Sequence, residues 1–102
     1  MPTKSPQIIE ETRLMRVLLK RLFAASTRAA SPKITAAVIE ALCASGGPLE
    51  ALSAGLKTEQ DWLDDIVNSD ALDAYTHIGN AAAAIETAIE ELTSARQSLG
   101  VL

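Results

Sequence analysis

The longest hydrophobic pattern in the chain runs from Asp70 to Leu99. Its apolar residues recur at alternating steps of three and four, which places them on one stripe of an α-helix. Six of them form the predicted self-association surface, namely Tyr75, Ile78, Ala82, Ile85, Ile89 and Leu92. A helix of this length is roughly 45 Å long, more than the core of one small domain requires. We therefore predict that the stripe faces either a second chain or several shorter helices.

Shorter helical patterns precede this stripe, and each begins at a capping residue or a proline. The pattern predicts helices over residues 6–30, 32–45, 49–54 and 58–67. No segment alternates with the period of two that a half-buried strand requires. The predicted fold class is all-α, a compact bundle of four to five helices with a long C-terminal helix. Residues 1–5 are predicted to be a disordered lead-in, and residues 6–100 a single helical domain.

Each predicted helix also has an expected inward face. The first carries one apolar face, made of Ile8, Met15, Leu18, Leu19, Leu22 and Ala25, and basic residues on another side. The second is expected to bury Ile34, Val38, Ala41 and Leu42, and the fourth Trp62, Leu63, Ile66 and Val67. Trp62 is expected to contribute most to the core, because large aromatic side chains bury the most area.

The composition points to assembly. Alanine supplies much of the apolar content, and the aromatic residues are Phe23, Trp62 and Tyr75 alone. Alanine buries little area, so a core of this composition is thin, and oligomerisation is a common remedy. We expect a dimer or a higher oligomer.

Charge is distributed unevenly along the chain. Seven basic and two acidic residues lie in the segment that ends at Lys33, whereas two basic and eleven acidic residues follow it. A candidate surface for an anionic partner is formed by Arg13, Arg16, Lys20, Arg21 and Arg28. These residues either pair with the acidic part of the same or a neighbouring subunit, or contact nucleic-acid phosphates. A membrane is not an expected partner, because the apolar face of this helix is expected in the core.

The sequence predicts no catalytic or metal site, no cofactor and no small-molecule substrate. Asp61, Asp64 and Asp65 share a helix face at a spacing that a hard cation accepts, but no second acidic motif accompanies them. His77 has no nucleophile or second strong ligand at a suitable spacing. The lone Cys43 excludes an internal disulfide, and no signal-peptide pattern is recognised, so we expect a cytoplasmic protein.

The segment from Leu49 to Val67 has the outline of a helix–turn–helix motif. Ala51 and Gly55 stand four residues apart, as the small residue and the turn glycine do in that motif. In this outline the chain resembles the helix–turn–helix domains of small phage terminase subunits and related regulators, which implies DNA binding. The second of the two helices, however, carries only acidic charges: Glu59, Asp61, Asp64 and Asp65.

Two functional hypotheses follow from the sequence. The first is a non-enzymatic protein-binding regulator or adaptor that self-associates through its C-terminal helix and engages a protein partner. The alternative is a DNA-binding accessory or regulatory protein with a degenerate helix–turn–helix, which uses the basic first helix for phosphate contact.

Overall fold

The computed structural model describes residues 4–102, and side-chain exposure from Pro6 onward. Within this range the chain forms α1 (Lys4–Arg28), α2 (Pro32–Cys43), α3 (Pro48–Leu63) and α4 (Ser69–Leu99), and no strand. The predicted all-α class and the long C-terminal helix are confirmed. Of the predicted lead-in, residues 1–3 lie outside the described range, whereas Lys4 and Ser5 are the first residues of α1.

Capping side chains fix where two of the helices begin. The Ser31 hydroxyl accepts a hydrogen bond from the Ile34 amide at 3.1 Å and starts α2. The Asn68 side chain accepts from the amides of Asp70 and Ala71, at 2.7 and 3.3 Å, and starts α4. Both caps satisfy amides that the first helical turn leaves without a partner. Gly46 leads the chain out of α2 with a φ of 74°, a conformation that glycine adopts at little cost.

The predicted helix–turn–helix is not formed. Residues 49–54 and 58–67 were expected to form two helices around a turn at Gly55, but α3 continues without interruption from Pro48 to Leu63. The Thr58 hydroxyl donates to the Ala54 carbonyl at 3.2 Å, so Thr58 is an interior helical residue and not a cap. A glycine inside a helix costs about 1 kcal/mol relative to alanine, which the surrounding helix formers and the packing on α4 offset.

Helices α2 and α3 lie end to end along one side of α4, and both run antiparallel to it. Near the start of α4, the Gln60 amide donates to the Tyr75 carbonyl at 3.2 Å. Near its end, Arg96 forms an ion pair with Glu40 at 2.9 Å. The apolar stripe of α4 therefore packs against several shorter helices of its own chain, which is one of the two arrangements predicted from its length.

The predicted compact bundle of four to five helices is wrong, because the packed body consists of three helices, α2 to α4. Among the described residues α1 contacts α2, near its own C-terminal end, and neither α3 nor α4. The molecule measures 53 × 29 × 19 Å, and its smallest dimension fits two layers of helices. Only Ile39, Ser53 and Ala82 are buried among the described side chains.

Several residues predicted to face the core are exposed. The side chain of Trp62 is 54% exposed, and its indole N–H donates to Glu59 at 2.8 Å. Ile66 and Val67 are also exposed, because α3 ends at Leu63 and the helical face that would have turned them inward does not continue. Leu63 is half-buried as predicted, whereas Ala41 on α2 is exposed and Ile39 takes the buried position.

Candidate protein-binding surfaces

The apolar face of α1 is the largest uncovered hydrophobic surface of the described chain. At 100° per residue its apolar side chains span about half of the helix circumference. All of the large ones are exposed: Ile8, Leu14, Met15, Leu18, Leu19, Leu22 and Phe23. The exposed fractions are highest for Ile8 at 63%, Leu18 at 61% and Met15 at 55%. The expectation that this face lies in the core of its own chain is therefore wrong.

The five predicted basic residues all lie on α1 and are exposed. Arg13 donates two hydrogen bonds to the Glu10 carboxylate, at 3.1 and 2.5 Å. This contact lowers the pKa of Glu10 and raises the pKa of Arg13. The other four, Arg16, Lys20, Arg21 and Arg28, form no ion pair with any described residue. Their positive charges are thus available to an anionic partner.

A second exposed apolar surface lies where α3 turns into α4. It contains Trp62, Ile66, Val67 and Leu72, and three of these border a shallow groove of about 430 Å³ with Asn68 and Ser69. Between Glu59 and Asp73 the sequence has six carboxylates and no lysine or arginine. We call this combination of the four apolar residues and the surrounding carboxylates the acidic corner. The carboxylates form no ion pair among the described residues.

Sequence reasoning missed the acidic corner because it assigned Trp62, Ile66 and Val67 to the core. A usable signal was present. Glu59 lies three residues before Trp62, on the same side of the helix, so turning the indole inward would also bury a carboxylate.

The predicted self-association residues lie on the side of α4 that packs against α2 and α3. Ala82 is buried, and Tyr75, Ile78, Ile85, Ile89 and Leu92 are half-buried. Polar contacts between α3 and α4 also stabilise this interface. The buried Ser53 hydroxyl donates to Glu86 at 3.3 Å, and Lys57 forms an ion pair with the same carboxylate. These contacts, that of Lys57 first, hold the pKa of Glu86 below its ordinary value.

The described residues include no group of three or more histidine, cysteine or acidic side chains positioned to hold a metal ion. His77 is exposed on α4, and Cys43 is half-buried at the end of α2. No helix in residues 4–102 is both long and apolar enough to cross a membrane.

The structure thus presents an apolar helix with a basic flank, and an apolar corner rich in carboxylates, at separate places on the molecule. No protein-family model, curated protein or solved structure matches this chain.

Proposed function

We propose that this chain is a non-enzymatic protein-binding regulator or adaptor that self-associates, with α1 as its contact helix. The observation that carries the proposal is the exposed apolar face of α1, which no other element of the described chain covers. Soluble monomers rarely leave a contiguous apolar surface of this extent in water. A helix with so little tertiary support is also marginally stable by itself, so a partner would stabilise α1 as well as cover it.

The location of self-association is the point at which this proposal departs from the sequence-based hypothesis. That hypothesis uses the α4 residues from Tyr75 to Leu92. In the folded chain those side chains pack against α2 and α3, and a second chain would have to displace these helices to reach them. Helix α1 offers a larger exposed apolar surface at no such cost.

The proposal is tested by the mass of the protein in solution at several concentrations, measured by sedimentation. The wild type is expected to exceed the mass of one chain, 10.8 kDa. Leu18→Gln should weaken association at least about tenfold, because a leucine in the apolar contact is lost. Val17→Gln is the matched control, since Val17 lies on the side of α1 that carries Arg13 and Arg21, and association should change little.

Two results would contradict the proposal. One is a mass of a single chain at every concentration. The other is an oligomer that tolerates Leu18→Gln but dissociates with Ile85→Asp plus Ile89→Asp, which would return self-association to α4.

The alternative function, a DNA-binding accessory protein, is supported by the four basic residues of α1 that lack an ion-pair partner among the described residues. Such a surface would bind phosphates with little dependence on base sequence, because contacts from arginine and lysine to phosphates do not read base edges. The continuous helix α3 removes the helix–turn–helix part of that hypothesis. Phosphate contact by α1 is the part that stays open to test.

A further inference from the structure

We infer that the partner of α1 is a second copy of this chain, and that α1 of one copy docks on the acidic corner of the other. The inference rests on the proposed function and names the occupant of its contact surface. The apolar face of α1 would cover Trp62, Val67 and Leu72 of the second copy. The basic residues beside that face would lie opposite the carboxylates of the corner.

Charge complementarity is the first argument. Helix α1 has six basic and two acidic residues, a formal charge of +4, in a chain whose total is −4. The remaining residues therefore carry −8, and six of their carboxylates belong to the acidic corner. Two α1 helices packed on each other would bring together two surfaces of charge +4. Docking on the corner brings opposite charges together, which favours both the encounter and the orientation.

The second argument concerns the apolar surfaces themselves. Trp62 is 54% exposed, Leu72 is 63% exposed and Val67 is fully exposed. Tryptophan and arginine are the side chains most enriched among residues that dominate binding energy, and they act best where apolar contact excludes water. The corner supplies the tryptophan and α1 supplies the arginines, each next to apolar residues.

The third argument is that α1 does not contact the acidic corner of its own chain, because among the described residues it contacts α2 and neither α3 nor α4. Pro32 and Ala36 of α2 border a groove with Leu99 of α4, so α1 joins the body beside the C-terminal end of α4. The acidic corner lies at the other end of this 31-residue helix, roughly 45 Å away. In this fold α1 leaves the corner of its own chain uncovered, so a second chain can supply the contact, and a reciprocal exchange of α1 helices closes a two-fold dimer.

The test uses two charge-reversed variants of the full chain. The helix variant is Arg16→Glu plus Lys20→Glu, and the corner variant is Asp64→Lys plus Asp65→Lys. Each alone should associate at least about tenfold more weakly than the wild type, because like charges then face each other at the substituted positions of both contacts. An equal mixture should recover the dimer, since both contacts between unlike variants are again between opposite charges. Glu90→Lys plus Glu91→Lys is the matched control, with the same change in charge outside the corner.

The outcomes separate this inference from the proposed function. Loss of the dimer in each variant, its recovery on mixing and an unaffected control would support reciprocal docking. Retention of the dimer by the corner variant, together with its loss on Leu18→Gln, would overturn docking on the corner and leave α1 as the contact helix. A wild type that stays a single chain would overturn both. Circular dichroism of each variant establishes that the helices are intact.

Discussion

Gly79 leaves room on α4 for a side chain of the neighbouring helix α3. It lies in the middle of α4, where glycine is a poor helix former. A Cβ built at this position would lie 2.5 Å from Nε2 of Gln60 on α3. The same amide donates to the Tyr75 carbonyl at 3.2 Å. The glycine therefore admits a contact from α3 that a side chain at this position would displace.

We predict that the effect of Gly79→Ala depends on Gln60. In the wild type the gain in helix propensity, about 1 kcal/mol, is offset by displacement of the Gln60 amide and loss of its hydrogen bond, also worth about 1 kcal/mol. In a Gln60→Ala background nothing offsets the gain, so Gly79→Ala should raise the free energy of unfolding by about 1 kcal/mol. Urea denaturation of the four proteins at one concentration measures this. An equal gain in both backgrounds would contradict the contact.

Glu86 makes one contribution to stability dependent on pH. Its carboxylate accepts from Lys57 and Ser53, and its pKa is therefore lower in the folded chain than the ordinary 4.5. A lowered folded-state pKa means that the stabilisation is complete above the unfolded-state pKa and is lost as the pH falls through the folded-state pKa.

We predict that Glu86→Gln removes this dependence. Wild type and variant should differ more in free energy of unfolding at about pH 6 than at about pH 3, because the stabilisation from the lowered pKa of Glu86 diminishes as the pH falls. The difference is modest, since both partners are half exposed and salt screens them. Glu90→Gln, at a carboxylate without an ion pair among the described residues, serves as the control. A difference that is constant between the two pH values would show that the ion pair does not stabilise the fold.

At the scale of elements, local sequence signals predicted those helix boundaries that depend on neighbouring residues. The Ser31 and Asn68 caps and the left-handed Gly46 depend on neighbouring residues, and the predicted starts of the second helix at residue 32 and of the last helix at Asp70 lie within one residue of those of α2 and α4. The stripe of α4 identified the buried side of that helix correctly.

Features that depend on packing between helices could not be predicted from the sequence in the same way. Gly55 is compatible with a turn and with a helix interior, and packing of the whole of α3 along α4 selects the helix. Trp62 is an apolar residue on a helix, which favours burial in general, but the helix ends one residue later and the side chain stays exposed. Of the candidate surfaces, the basic side of α1 was predicted from the sequence. The acidic corner was not, because its apolar members come from the end of one helix, a connection and the next helix.

At the scale of the whole molecule, the three-helix body and α1 differ in the sign of their charge and in how much of their apolar surface is covered. The body covers most of its apolar stripe internally, whereas α1 leaves its own uncovered. The positive charge lies on α1, whose apolar face is uncovered, and the negative charge lies on the body. An assembly that pairs the two parts completes the hydrophobic contact and neutralises the charge in one step, which distinguishes it from pairing of like helices.

The separation of charge also predicts how the protein responds to nucleic acid. If carboxylates of a second copy cover the basic residues of α1, the wild type should not bind a random-sequence duplex measurably at about 150 mM salt, and only weakly at about 50 mM. Titration of a fluorescent duplex with the wild type and with Arg16→Glu plus Lys20→Glu measures this. Tight binding that falls steeply with salt and is lost in the variant would instead assign the basic side of α1 to phosphate contact. In that case the second copy would not be its partner, and the DNA-binding alternative would replace the adaptor proposal.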